Sequence, residues 1–430
     1  MFTPQRLFGE GGSSPELLSH EPFLERARLQ REQERDGPAR LALGAYVVAR
    51  LIDKFMTIED DPESLEGFRW QLEAVRRHIN DLPPDAPETA HLAGVVAAIS
   101  EKSAPAPGLW MSLTAYAYFL EHEGRLEEAL EILTLSARSH GPYTPPADFV
   151  AYALFAGRIN RLLARWDVAS SCYGAAEDGA MQIGDSVSML RGRLGKGAVD
   201  RGRGNLPVAR ATAESVVREA SELQLADVQA IAYGDLGAVY GLQGLHLEAL
   251  EAQFQSFRFS HDPQQRVHAL GNVAFALREI GALEASRIAF TIVAQSSASV
   301  RVRANAQLEL MDLESTFGNR VAFERCRFAV EEYRTRMSPS MSVDYHYKLG
   351  MGLACFGQIA RAGDALNTAL EMAETHQLNA WYFKVEQALE ELATNPEHQL
   401  VHQRGSTLSE TPAVRQMEAE LREYAASSVP

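Results

Sequence analysis

The sequence predicts an all-α protein, a solenoid of stacked helix–turn–helix pairs. Three sets of residues that recur with one period carry that expectation. An alanine early in the second helix of each pair recurs as Ala129, Ala169, Ala209, Ala249, Ala285, Ala322 and Ala362, in steps of 40, 40, 40, 36, 37 and 40. A turn residue recurs as Gly124, Ala164, Gly204, Gly244, Gly281, Gly318 and Gly357, and a small residue of the first helix as Ala117, Gly157, Gly197 and Gly237. Antiparallel helices approach closely only where side chains are small, and glycine supplies the permissive backbone that ends a helix. A shared period of this length marks units that stack to bury one core.

The elements follow in chain order. Residues 1–38 are rich in Gly, Ser, Pro and charge and read as a mobile lead-in, with a short helix near 22–35. Residues 39–104 read as an N-terminal helical block. Leu41, Ala45, Val48, Leu51, Ile52 and Phe55 share one helical face. Asp61 suits a cap and Pro62 the first helical position. Leu65, Phe68, Leu72, Val75, Ile79 and Leu82 continue that helix until Pro83, Pro84 and Pro87 break it, and Leu92, Val95, Val96 and Ile99 form a third face. Ala104–Gly108 reads as an elbow. Seven pairs then run from about Leu109 to about Gln377. A helix carrying Trp381, Val385, Ala388, Leu389 and Leu392 covers the open end and completes an array over 109–395. Residues 396–430 read as a mostly disordered tail with one amphipathic stripe, Val414, Met417, Leu421 and Tyr424.

Composition excludes several classes. Hydrophobic residues make up 46% of 430, enough for a continuous core, and the formal net charge of −16 argues against nucleic-acid binding. Cys172, Cys326 and Cys355 have no paired spacing, which suits a reduced, cytoplasmic protein. No apolar run is long enough to span a membrane, and the N-terminus lacks a signal-peptide pattern.

The stretches YFLEHEGRLEEAL (118–130), LGAVYGLQGLHLEAL (236–250) and LGMGLACFGQIARAGDAL (349–366) resemble tetratricopeptide repeats, and the resemblance covers about two thirds of the chain. The period of about 40 exceeds the usual 34 and is similar to the repeats of bacterial sensor and regulator arms. The resemblance implies a right-handed superhelix whose first helices line a concave groove for a protein or peptide partner. The block at 39–104 resembles, in layout, the helical bundles of peptide-responsive regulators.

The most distinctive chemistry is RGRLGKGAVDRGRG at 191–204, a basic island in an acidic chain. A phosphate loop is not expected there, because Gly197 follows Gly195-Lys196 where Ser or Thr is needed and Leu190 occupies the earlier glycine position. By repeat register, Arg158, Arg161, Arg191 and Arg201 fall on the inner wall, and Arg278 has the same register later in the chain. Arginines so placed could grip a carboxylate with paired hydrogen bonds. The competing reading is a solvated face or ion pairs with neighbouring acids. Tyr118, Phe275 and Tyr347 share the groove register and could hold a peptide. No nucleophile–base pair, His-Glu-x-x-His or Cys/His metal set is present, so neither an enzyme nor a cofactor is expected. The expected function is a non-enzymatic interaction scaffold binding a partner segment of acidic character; the alternative is a peptide- or ligand-responsive sensor whose solenoid changes shape.

Overall fold

A computed structural model describes residues 19–58, 61–100, 107–139, 145–296, 300–334, 337, 339–375, 378–394 and 412–428. Among them are twenty helices and no strand, so the all-α class is borne out. The chain groups into two compact units, 1–205 and 206–430, and the division falls in the turn of the third pair.

The first unit contains α1 (Glu21–Glu32), α2 (Asp36–Thr57), α3 (Pro62–Asn80), α4 (Pro87–Ser100), α5 (Pro107–His122), α6 (Leu126–Ser139), α7 (Pro146–Leu162), α8 (Trp166–Ile183) and α9 (Ser186–Gly202). Asp61 caps α3 as its sequence suggests, accepting from the Glu63 and Ser64 amides at 3.1 and 3.0 Å. The block buries Ala45, Val48, Ile52, Phe68, Val75, Ile79, Leu92 and Val95 in one core shared with Tyr116 and Ile132. Within the stretch read as a lead-in, the short helix expected near 22–35 is present. Residues 21–32 form α1, and Phe23 and Ala27 are buried. Specific polar contacts hold it: Arg26 pairs with Glu88 and Glu128, and buried His20 pairs with Asp53 and Glu131. Residues 1–18 and most of the elbow, at 101–106, lie outside the described residues.

Every turn residue read from the period adopts a left-handed backbone: Gly124, Ala164, Gly204, Gly244, Gly281, Gly318 and Gly357 have φ between 56° and 82°. Each closes its helix with the same two bonds. At the first, the Gly124 amide donates to Glu121 O and the Arg125 amide to Leu120 O; at the last, Gly357 donates to Ala354 O and Gln358 to Leu353 O. Ala164 makes the same closure with a Cβ, at a cost of about 1–2 kcal/mol.

The second unit contains α10 (Leu206–Glu222), α11 (Ala226–Leu242), α12 (His246–Phe259), α13 (Pro263–Glu279), α14 (Leu283–Gln295), α15 (Val300–Thr316), α16 (Arg320–Glu331), α17 (Pro339–Cys355), α18 (Ile359–Thr375), α19 (Asn379–Thr394) and α20 (Pro412–Ser428). Each helix from α10 to α16 packs on the next, and α17 on α18; α11 also meets α13, and α15 meets α17. The first helices of successive pairs are therefore neighbours. Gly237 and Ala249 are buried as expected, but a Cβ on Gly237 would lie 2.6–2.8 Å from the Gln253 side chain, which is the group that glycine admits. Gln253 Nε2 donates to Gly234 O at 3.1 Å, so the close approach also places a hydrogen bond. Val385, Ala388 and Leu392 of α19 join a core with Val343, Leu353 and Leu366. The amphipathic stripe of the tail forms α20, and Val414 and Leu421 are buried.

Candidate functional site

The basic, glycine-rich stretch is a helix-packing motif. Tyr173 of α8 presses on α9, where a Cβ on Gly195 would sit 2.2 Å from the ring, and on α7, where one on Gly157 would sit 2.9 Å from it. A Cβ on Gly192 would stand 3.0 Å from the α8 backbone, and one on Gly202 2.6 Å from Trp166. The cations are matched in the same way. Arg193 and Lys196 share Glu177 at 3.1 and 2.5 Å, and Arg203 pairs with Asp167, both acids lying on α8. Burial alone would raise the Glu177 pKa; Lys196 and Arg193 outweigh it and hold the carboxyl below its usual range.

The sequence-selected arginines differ in their surroundings. Arg158 donates to Glu121 at 2.7 Å and lies 4.9 Å from the Phe155 ring centroid and 5.4 Å from that of Tyr118. Tyr118 itself stacks on Phe155 at 4.1 Å. Arg191 is exposed near Asp185, whose carboxyl its charge helps to lower. Arg201 is half-buried, and Arg161 is half-buried with its Nε out of water and without a hydrogen-bond partner. Arg278 pairs with Glu309 and with Asp312 at 3.2 Å. Two acids on the adjacent inner helix thus share Arg278 Nη1, an ion pair of the kind the competing reading of these arginines expects.

Those acids belong to a buried network across three inner helices. Arg278 of α13 meets Glu309 and Asp312 of α15, and Lys348 of α17 meets Glu309 and, at 2.8 Å, Asp344. Burial raises the Glu309 pKa against the pull of Lys348 and Arg278. Removing any single member strands charge out of water, so the network fixes how these helices stand together.

Beside it lies a cavity of about 390 Å³. Its inner-helix lining comes from His268, Asn272 and Phe275 of α13, Arg301 and Asn305 of α15, and Asp344 of α17; Phe290 and Trp381 add aromatic surface. Its polar groups differ from the arginines above in one respect. The Asn272 and Asn305 carboxamides accept and donate no hydrogen bond among the described residues, and Arg301 makes no ion pair there. Burial, then the Arg301 charge, lowers the pKa of His268, which favours its neutral form. Phe275 lines the cavity and meets Phe290 edge-on at 5.1 Å; Tyr347 stands behind it against Trp381 at 5.9 Å. The structure therefore gathers Phe275 and Tyr347 near a site whose carboxamides the sequence reading did not select. The signal was present: His268, Asn272, Phe275 and Arg278 are spaced four, three and three, one face of α13, and Asn305, Glu309 and Asp312 repeat that face on α15. Among the described residues no group of three or more His, Cys, Asp or Glu could hold a metal ion, and no helix is long and apolar enough to cross a membrane. Burial raises the Cys172 and Cys326 thiols to about 11.

No family model matches the chain, and no curated protein matches it. Solved structures resemble it at a distance. The Rap conjugation gene regulator of plasmid pLS20 in complex with the Phr* peptide is 12% identical, covers 83% of this chain and 98% of its own, and gives a TM-score of 0.47. NprR in complex with its cognate peptide NprX is 12% identical over 86% of this chain and 97% of its own, at 0.45. A tetratricopeptide repeat protein from Parabacteroides merdae is 15% identical over 65% and 97%, at 0.38. These distant likenesses assign no function to this chain.

Proposed function

We propose that the chain is a non-enzymatic peptide-binding module whose site is the cavity on the inner faces of α13, α15 and α17. The observation that supports it is the pair of unengaged carboxamides, Asn272 and Asn305, in an aromatic-lined pocket. A carboxamide carries both a donor and an acceptor, which matches the two groups of a peptide unit in an extended strand. Phe275, Phe290 and Trp381 offer apolar surface to alternate side chains. Arg301 supplies an uncommitted guanidinium for a ligand carboxylate, so the acidic character expected of the partner moves to a different arginine. At about 390 Å³ the cavity stands near the small end of ligand pockets and takes a short stretch of chain.

One observation favours a sensor over a passive scaffold. The lining is drawn from α13, α14, α15, α17 and α19, so a ligand there touches several successive pairs at once and stabilises one spacing of them. The test is affinity selection of a pooled hexapeptide library by the full chain, read by mass spectrometry. Wild type enriches a subset, whereas Asn272→Ala/Asn305→Ala loses it with an unchanged melting temperature and Arg301→Glu loses its acidic members. Equal enrichment by a folded double variant overturns the proposal.

A further inference from the structure

The last helix offers a second kind of recognition. α20 places Val414, Met417, Leu421 and Tyr424 on one face, spaced three, four and three. Val414 and Leu421 are fully buried against the second unit's core, and Met417 and Tyr424 are packed beside them. The helix packs on α14. Tyr424 meets Phe257 of α12 edge-on at 5.3 Å, and the Arg266 guanidinium lies 4.7 Å from the Phe257 centroid and 5.0 Å from that of Tyr424. The seat is therefore an apolar strip on α14 with an arginine–aromatic clamp at one end. The opposite face of α20, with Arg415, Arg422 and Glu423, stands in water.

Two features make this seat exchangeable. Its occupant is anchored by four side chains of a single helix, a small contact beside those that join the paired helices. The chain from 395 to 411, between α19 and α20, is 17 residues long, a reach of roughly 55–60 Å if extended. That length lets α20 leave its own seat and reach one on a neighbouring molecule, at protein concentrations high enough to compete with its own tether. The one sequence shown to fit the seat is α20, and a second copy of the chain carries it.

We propose that the strip on α12–α14 is a self-association surface, occupied by α20 of the same chain or, by exchange, by α20 of a second copy. Reciprocal exchange closes as a two-fold dimer, each seat filled by its partner's helix. No new surface is required, so the balance between the two states is set by concentration.

The test uses the full chain. Light scattering across a concentration series gives the molar mass of wild type and of Val414→Asp/Leu421→Asp, whose α20 cannot enter the seat. A synthetic peptide of residues 412–428, labelled with a fluorophore, is then titrated into each chain. The proposal expects a concentration-dependent wild-type dimer, a monomeric double variant, and uptake of the peptide at one per chain by the double variant's empty seat. It expects no uptake of a peptide carrying Leu421→Asp. Should the double variant lose helix content, Leu421→Ala alone opens the seat with Val414 in place, and a peptide carrying Tyr424→Ala is then taken up about tenfold more weakly than the natural one. A wild type that stays monomeric throughout, a dimer that survives Val414→Asp/Leu421→Asp unaltered, or an empty seat that ignores the peptide overturns it.

Discussion

Gly195→Ala adds one methyl group where the α8–α9 contact has no room. The added Cβ would stand 2.2 Å from Cδ1 and 2.3 Å from Cε1 of Tyr173, whereas carbon atoms rest about 3.5–4.0 Å apart. The ring must retreat by more than about 1 Å. It cannot do so freely, because Tyr173 is buried and already close to Gly157. Overpacking of this kind costs about 1–3 kcal/mol, and the upper end applies where the neighbour is pinned. Alanine returns about 0.5–1 kcal/mol of helix propensity, which leaves a net loss of about 2 kcal/mol. For a unit of this size the melting temperature falls by about 4–8 °C. Gly94→Ala is the control, since a Cβ there meets nothing within 4 Å and the same propensity gain acts alone. Scanning calorimetry of the two variants, and of Gly195→Ala in a Tyr173→Ala background, reads the contact directly. A Gly195→Ala chain as stable as Gly94→Ala, or an equal loss with and without the Tyr173 ring, refutes the packing account of the glycine-rich stretch.

Three further outcomes follow from the charged groups. Burial alone would lower the pKa of His20, but its hydrogen bonds and charge contacts with Asp53 and Glu131 outweigh that and raise it above 6.5; Tyr46 is the other ring beside it. Its contribution is therefore complete below that value and lost as pH rises through the raised one, so wild type should lose stability faster than His20→Gln as pH rises above 6.5 in thermal melts. Parallel curves would contradict it. Glu88 behaves oppositely: Arg125 and Arg26 overcome burial and hold it near 2 instead of 4.5. A 2.5-unit depression is worth about 3 kcal/mol, present above pH 4.5 and lost as pH falls toward 2, and Glu88→Gln should remove about that much in denaturant titrations at neutral pH. Lys348→Met leaves Glu309 facing Arg278 alone and should cost about 3 kcal/mol by the same titration; a neutral effect would mean that the network does not hold α15 and α17 together.

The helix pairs were legible because their determinants are local and periodic. A left-handed turn admits glycine and few other residues, so seven turn positions could be counted directly in the sequence, and all seven have positive φ. The site was less legible because its chemistry depends on which charges find partners. Arg278 and Arg301 look alike in sequence; one is paired with Glu309 and Asp312, and the other faces a cavity without an ion pair. Only the packing of α13 against α15 decides between them. The same holds for 191–204, where Gly195 and Gly202 admit Tyr173 and Trp166, and Arg193, Lys196 and Arg203 pair with Glu177 and Asp167 of α8. α1 was expected as a short helix near 22–35, but its docking was not legible. Its burial rests on His20, Phe23 and Arg26 meeting partners far along the chain, a pattern that composition does not report.

Amide hydrogen exchange of the full chain, with and without the peptide that the library selection enriches, tests the central claim most directly. Slowed exchange concentrated in 264–278, 301–312 and 340–348, and absent from Asn272→Ala/Asn305→Ala, is the result expected of a peptide bound across α13, α15 and α17. Protection concentrated instead over Arg158–Arg201, with those segments unchanged, would contradict it and return the ligand to the basic stretch of the first unit.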